Sequence, residues 1–169
     1  KKVQVSVQSA FGCGFEGPVP EERVLGMVRA YLEAGLQSIS LADTAGHADP
    51  AQVERLFGAV FGLDPAVELA CHFHNTYGLG MANIFAARRA GVTSFETSFA
   101  GLGGCPFTKV AAGNVATEDL VHVLHRPGLR PDVDLDRLIA VARDVAARLG
   151  RDMQGYVHRT GPLATKEPS

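Results

Sequence analysis

Two histidines one residue apart, His72-Phe73-His74, close a short apolar run. If that run is a strand, side chains two apart point to the same side. Two imidazoles directed into one space can ligate a divalent metal; the plainer alternative is one hydrogen-bonded strand-end histidine beside an unrelated one. Further along, Gly101-Leu102-Gly103-Gly104-Cys105-Pro106-Phe107 sets one thiol in a loop whose glycines let the backbone approach a ligand closely. A surface loop that happens to contain a cysteine has the same look. Gly113-Asn114-Val115-Ala116-Thr117-Glu118-Asp119 carries an amide and two carboxylates, and also reads as a helix start capped by Asn114 or Thr117. Asp43, in Ala42-Asp43-Thr44-Ala45-Gly46, is a loop carboxylate that can face a substrate or cap its own turn.

These segments need elements to bring them together. Val3, Val5 and Val7 alternate with polar residues, which predicts a strand near 3–8. Pro20-Glu21-Glu22 starts a helix whose Val24, Met27, Val28, Tyr31 and Leu32 fall at helical spacing, with Gly35 as its C-terminal cap. Ser38-Ile39-Ser40-Leu41 is a second strand, followed by a helix near 50–61. Residues 67–72 form a third strand, followed by a helix near 79–90 that ends at Gly91, and residues 92–98 form a fourth strand. Helices are predicted near 116–125 and 134–149. Residues 1–158 are read as one domain and 159–169, with Gly161, Pro162 and Pro168, as an irregular tail. Strands that alternate with helices imply a parallel α/β sheet with right-handed crossovers. Four such units build either half of a (βα)₈ barrel or a small open doubly wound sheet, and no GxGxxG or Walker-type loop supports the second. In both architectures the C-terminal strand ends carry the site, and here each of them bears polar residues.

The chain has 169 residues, enough for one domain but short of the roughly 250 of a complete (βα)₈ barrel. A net charge of −2 leaves no bulk electrostatic footprint for nucleic acid or an anionic membrane. Cys13, Cys71 and Cys105 are odd in number and lack a framework spacing, which argues for a reducing compartment. No apolar run reaches the roughly 20 residues of a membrane span. Lys1-Lys2-Val3-Gln4-Val5 has neither an initiator Met nor a signal-peptide core, and reads as a strand entered mid-protein.

Ser98-Phe99-Ala100-Gly101-Leu102-Gly103-Gly104-Cys105-Pro106-Phe107 resembles the cysteine loop of 3-hydroxy-3-methylglutaryl-CoA lyases, a highly specific motif. The resemblance runs from about Val5 to Leu124. It includes Gly12-Cys13 with Phe15-Glu16-Gly17, Ser40-Leu41-Ala42-Asp43-Thr44, His72-Phe73-His74 and Gly113 to Leu120, in the family's order. It implies a (βα)₈ TIM barrel, of which this chain is the C-terminal four units plus C-terminal helices. It implies a divalent cation, Mg²⁺ or Mn²⁺, held by His72, His74 and Asn114. Cys105 would be the catalytic thiol, joined by Asp43 and Glu118 as polar residues at the substrate site, and Ser40, Asp43, Gly103 and Gly104 would contact the substrate. The implied reaction cleaves 3-hydroxy-3-methylglutaryl-CoA to acetyl-CoA and acetoacetate. The acceptor of the hydroxyl proton stays open between His72, Asp43 and a group outside this chain.

The resemblance further implies an acyl-CoA as partner, a homo-oligomer such as a dimer, dependence on an N-terminal half, and a cytoplasmic setting, or the mitochondrial matrix in a eukaryote. The family's first-strand Asp-Arg pair has no counterpart here. Asn75 stands where these lyases usually have Asp, Phe107-Thr108-Lys109-Val110 replaces a Tyr-Ala and Gly-containing stretch, and His47 is unusual after Asp43. These departures keep three alternatives in view. One is a sibling lyase for another 3-hydroxyglutaryl-CoA. Another is a related HxH barrel such as a 2-isopropylmalate synthase or 4-hydroxy-2-oxoacid aldolase, which is not expected to carry the Cys105 loop. The last is an inactive half barrel that only binds metal or a partner.

Overall fold

Parallel pairing follows from the alternation of elements, and the order of the strands decides between the two architectures. The computed structural model describes residues 1–104 and 113–163. They fall into two compact units: Lys1–Glu96 with the described residues of Gly103–Asn114, and Thr97–Leu102 with the described part of Val115–Ser169.

The first unit holds strands β1 (Val5–Val7), β2 (Ser38–Asp43), β3 (Glu68–Phe73) and β4 (Ser94–Glu96), with helices α1 (Glu21–Glu33), α2 (Pro50–Leu63) and α3 (Gly80–Arg89) between them. The strands lie side by side in chain order, β1-β2-β3-β4, all parallel. A doubly wound sheet reverses its strand order at a switch point, whereas a barrel adds each strand to the same edge. The sheet is therefore a run of four barrel units.

Local chemistry sets the helix limits. Asp49 caps α2 by accepting from the Ala51 and Gln52 amides at 2.9 and 3.0 Å, and Pro50 occupies the first turn, where its missing N–H costs nothing. α1 ends at Gly35 (φ 77°), where Leu36 N–H reaches back to Tyr31 O and Gly35 N–H to Leu32 O, both at 2.9 Å. α3 closes the same way at Gly91, with Val92 N–H bonded to Ala87 O. That bond explains why β4 begins at Ser94 rather than at the expected Val92: Val92 belongs to the helix cap. The far end is also shorter than expected, because Ser98 pairs with Ala116 as an isolated bridge in the other unit.

The register separates the sheet into two faces. Val7, Leu41 and Cys71 align along one row, as do Asp43 and Phe73 along the next. On this side Ile39, Leu41 and Phe73 are fully buried, and Phe11 packs its ring 5.6 Å from Phe73 and 6.1 Å from Phe57 of α2. The opposite face carries Ser6, Ser40, Ala70 and Ser94 in one row and Ala42, His72 and Glu96 in the next. Apolar burial thus sits on one side and small or polar side chains on the other.

In the second unit a 3₁₀ turn, Phe99–Gly101, packs with α4 (Thr117–His125), α5 (Leu135–Leu149) and α6 (Val157–Thr160). Ala100, Ala142 and Met153 form its small core, flanked by Leu102 and Ala146. α6 straddles the expected start of the irregular tail. It forms because the Asp119 carboxylate accepts from the Tyr156 and Val157 amides, fixing its first turn.

Candidate metal centre and active site

The polar face of the sheet and the loop beyond β3 bring the two histidines together. His72 ends the polar row of β3, and His74, two residues on, forms a bridge with Asn114 just past the strand. Their Nε2 atoms lie 3.3 Å apart and the ring centroids 5.2 Å apart. Neighbouring ligands on an octahedral ion with bonds near 2.1 Å are roughly 3 Å apart, so the two nitrogens have a separation suited to one ion. The Asn114 amide lies within hydrogen-bonding reach of the His72 ring. Burial holds the His72 imidazole below the ordinary histidine range, and the charge of His74 lowers it further, against the opposing pull of Glu96. That favours the neutral form, which is the form that ligates. Among the described residues no three His, Cys, Asp or Glu side chains are grouped to hold a metal. The donor set therefore fits Mg²⁺ or Mn²⁺ only as two imidazoles plus the Asn114 amide oxygen, completed by oxygen ligands from outside these residues.

The loops around the pair are tightly fitted. Asn75 continues past His74 with its amide bonded to Gly113 O at 3.0 Å, and its side-chain Oδ1 accepts from Gly80 N–H at the start of α3. The Asn that replaces the family's usual Asp thus has a local hydrogen-bonding role. Gly103 (φ 114°) approaches so closely that a Cβ there would meet Asn114 Nδ2 at 2.5 Å. Gly103, expected to contact the substrate, packs here against Asn114, an expected metal ligand. After β2, a Cβ on Gly46 would meet Thr76 Oγ1 at 2.6 Å, and the α3 residue Asn83 donates to Ala48 O at 2.9 Å. His47 rests against Tyr77 with ring centroids 5.9 Å apart.

Asp43 is fully buried and pairs in register with Phe73, on the side opposite His72. Its two carboxylate oxygens accept from the His47 and Ala48 amides at 2.8 and 3.1 Å, closing the loop that leads to α2. Burial raises its pKa above the ordinary carboxylate value, partly offset by those amides and by the charges of His47 and His74. Ser40, on the polar face one row below Ala42 and His72, keeps its hydroxyl buried without a hydrogen-bond partner among the described residues. Glu118 belongs to the second unit. There it is fully buried, accepting from Ala100 N–H at 3.0 Å and pairing with His158 Nδ1 at 3.1 Å. Cys105 lies outside the described residues. Gly104 (φ 151°) is the last residue described before it.

One residue went unread in the sequence. Glu96 lies beside His72 across β3 and β4, and its Oε2 sits 3.2 Å from His72 Nδ1. A carboxylate behind a histidine is a usual supporting partner of a metal ligand. Only the alternation toward Ser98 could have hinted at it, since the pairing depends on inter-strand register.

An imidazole pair at the C-terminal end of sequentially ordered parallel strands defines the class of (βα)₈-barrel folds with a site at that edge. The chain belongs to the HMGL-like family, whose profile matches residues 2–145. It is 42% identical over 159 residues to an (R)-citramalyl-CoA lyase of Chloroflexus aurantiacus, covering 94% of this chain and 50% of that protein. It is 42% identical over 149 residues to the hydroxymethylglutaryl-CoA lyase of Pseudomonas mevalonii, covering 88% and 50%. A solved HMG-CoA lyase of Acinetobacter baumannii, in complex with coenzyme A and 3-methylmalate, superposes with a TM-score of 0.90 at 41% identity, over 98% of this chain and 54% of that one. The chain thus spans about half the length of the relatives it matches. No described helix is long and apolar enough to cross a membrane.

Proposed function

We propose that this chain supplies the metal-binding face of a carbon–carbon lyase that cleaves 3-hydroxy-3-methylglutaryl-CoA to acetyl-CoA and acetoacetate. The observation that carries the reading is the convergence of the His72 and His74 Nε2 atoms beside Asn114 at the C-terminal strand ends. A bound Mg²⁺ or Mn²⁺ supplies Lewis acidity that lowers the pKa of the substrate's tertiary hydroxyl and fixes its geometry. His72, His74 and Asn114 would hold that ion. Asp43, whose two oxygens are held by the His47 and Ala48 amides, is assigned to fixing the loop after β2, and the hydroxyl proton is assigned to a base outside the described residues. As the hydroxyl oxygen becomes a carbonyl, the carbon–carbon bond breaks and its electron pair passes to the thioester enolate. Cys105 is assigned the delivery of a proton to the enolate carbon, an assignment that rests on its motif and on a thiol's reference pKa of about 8.5. The Ser40 hydroxyl, buried on the same face as His72, is assigned to the substrate's polar groups.

A second reading has its own support in the 42% identity to the Chloroflexus (R)-citramalyl-CoA lyase over nearly the whole chain. That substrate carries its carboxylate directly on the carbinol carbon, and the same bond cleavage yields acetyl-CoA and pyruvate. Both readings are tested by incubating the full-length protein with each thioester and Mg²⁺ and separating the products. Acetoacetate identifies the first reading and pyruvate the second. Turnover that survives exhaustive chelation would refute both.

A further inference from the structure

We propose that Glu96 is a positioning residue that fixes His72 as a metal ligand, an inference that rests on the metal-centre reading above. The parallel register sets Glu96 beside His72 on neighbouring strands, both on the polar face. Glu96 Oε2 lies 3.2 Å from His72 Nδ1, and the other oxygen, Oε1, accepts from the Gln4 amide at 2.6 Å, just ahead of β1. Both carboxylate oxygens are therefore committed, and the carboxylate is anchored from a third segment of the unit.

A neutral imidazole bears its proton on one nitrogen only, and the hydrogen bond made at one nitrogen decides the state of the other. An ionised carboxylate can only accept, so Glu96 keeps the proton on Nδ1 and leaves the Nε2 lone pair bare. That Nε2 is the atom that lies 3.3 Å from its counterpart on His74. The side chains of His72 and Glu96 are 28% and 37% exposed, and a histidine–carboxylate contact so open to water contributes little to stability. Orientation of the ring is the effect such a pair can deliver. Asn114, at the same ring, is a neutral amide able to donate or accept, so it cannot impose one tautomer as a carboxylate does.

The test uses full-length protein and Mn²⁺, with free ion counted by electron paramagnetic resonance and the His72 tautomer read from ¹⁵N chemical shifts. Glu96→Ala is expected to raise the Mn²⁺ Kd about 10- to 100-fold and to spread His72 over both tautomers. Its maximal cleavage rate should recover at saturating Mn²⁺, because both Glu96 oxygens are engaged by His72 and Gln4 and its role runs through the His72 ring. Glu96→Gln, which keeps the side-chain size if alanine harms folding, is also expected to weaken binding, since its amide can donate to Nδ1 and place the proton on Nε2. A wild-type Kd and an unchanged ¹⁵N pattern in the folded variants would overturn the role of Glu96. His72→Ala separates the two levels of inference: if it binds Mn²⁺ as well as wild type, the metal-centre reading itself fails.

Discussion

Gly103→Ala tests whether the backbone ahead of Cys105 is built around Asn114. Two costs are expected. Gly103 has φ 114°, outside the range comfortable for alanine, and left-handed backbone costs an L-residue about 1–2 kcal/mol. The added Cβ would also stand 2.5 Å from Asn114 Nδ2, closer than real Cβ atoms come, so the amide must move by about 1 Å to regain an ordinary contact. A displacement of about 1 Å at a catalytic constellation can cost about 100-fold in rate. Gly17→Ala is the control, because Gly17 also has positive φ (80°) but a Cβ added there would meet nothing within 4 Å. It should lose stability through backbone strain alone. The assay compares urea unfolding, the Mn²⁺ Kd and acyl-CoA cleavage for both variants in the full-length protein. Gly103→Ala is expected to lose at least as much stability as the control and to fall far below it in metal affinity and rate. A variant that binds Mn²⁺ and turns over within about twofold of the Gly17→Ala control would refute the claim that Gly103 sets the position of a ligand.

Two further outcomes follow from the buried carboxylates. The folded-state pKa of Asp43 is raised above 3.8, so between 3.8 and that raised value the folded protein binds more protons than the unfolded chain. The contribution of Asp43 to stability therefore falls as pH rises through that window. Asp43→Asn can satisfy only one of the two amides that the carboxylate serves, so it should destabilise most near pH 3.8 and less at neutral pH, and a destabilisation that grew with pH in urea titrations would contradict this. In the second unit, Glu118→Gln leaves one of two buried partners, Ala100 N–H or His158 Nδ1, poorly matched. That should cost about 1–3 kcal/mol, and an unchanged denaturation midpoint would show that Glu118 does not hold the left-handed Ala100 turn.

Much of this architecture was legible because its determinants are local. The helix expected near 50–61 starts at Pro50, and Gly35 and Gly91, read as helix ends, close their helices through bonds that span only a few residues. His72 and His74 share a side because strand alternation puts them there, with no knowledge of neighbours required. The relation of Glu96 to His72 was illegible for the opposite reason: it depends on which residue of β4 lies beside which residue of β3, and register is a property of the assembled sheet. Asp43 shows the same limit. Its type and loop suggested a site carboxylate, yet its row partner is Phe73, and that placement follows only from the pairing of β2 with β3.

The two faces of the sheet explain why chemistry and stability can be separated here. Ile39, Leu41, Cys71 and Phe73 bury their side chains on one side, where each buried methylene contributes about 0.8 kcal/mol. The other face carries Ser6, Ser40, Ser94, His72 and Glu96, small or polar groups that add little to that burial. A strand residue can therefore change ligand chemistry without touching the core one position away. The exceptions are positions such as Gly103, where a site residue meets a backbone conformation that only glycine adopts easily. In this sheet the alternation that makes a strand also divides its residues into those that hold the fold and those available to hold an ion.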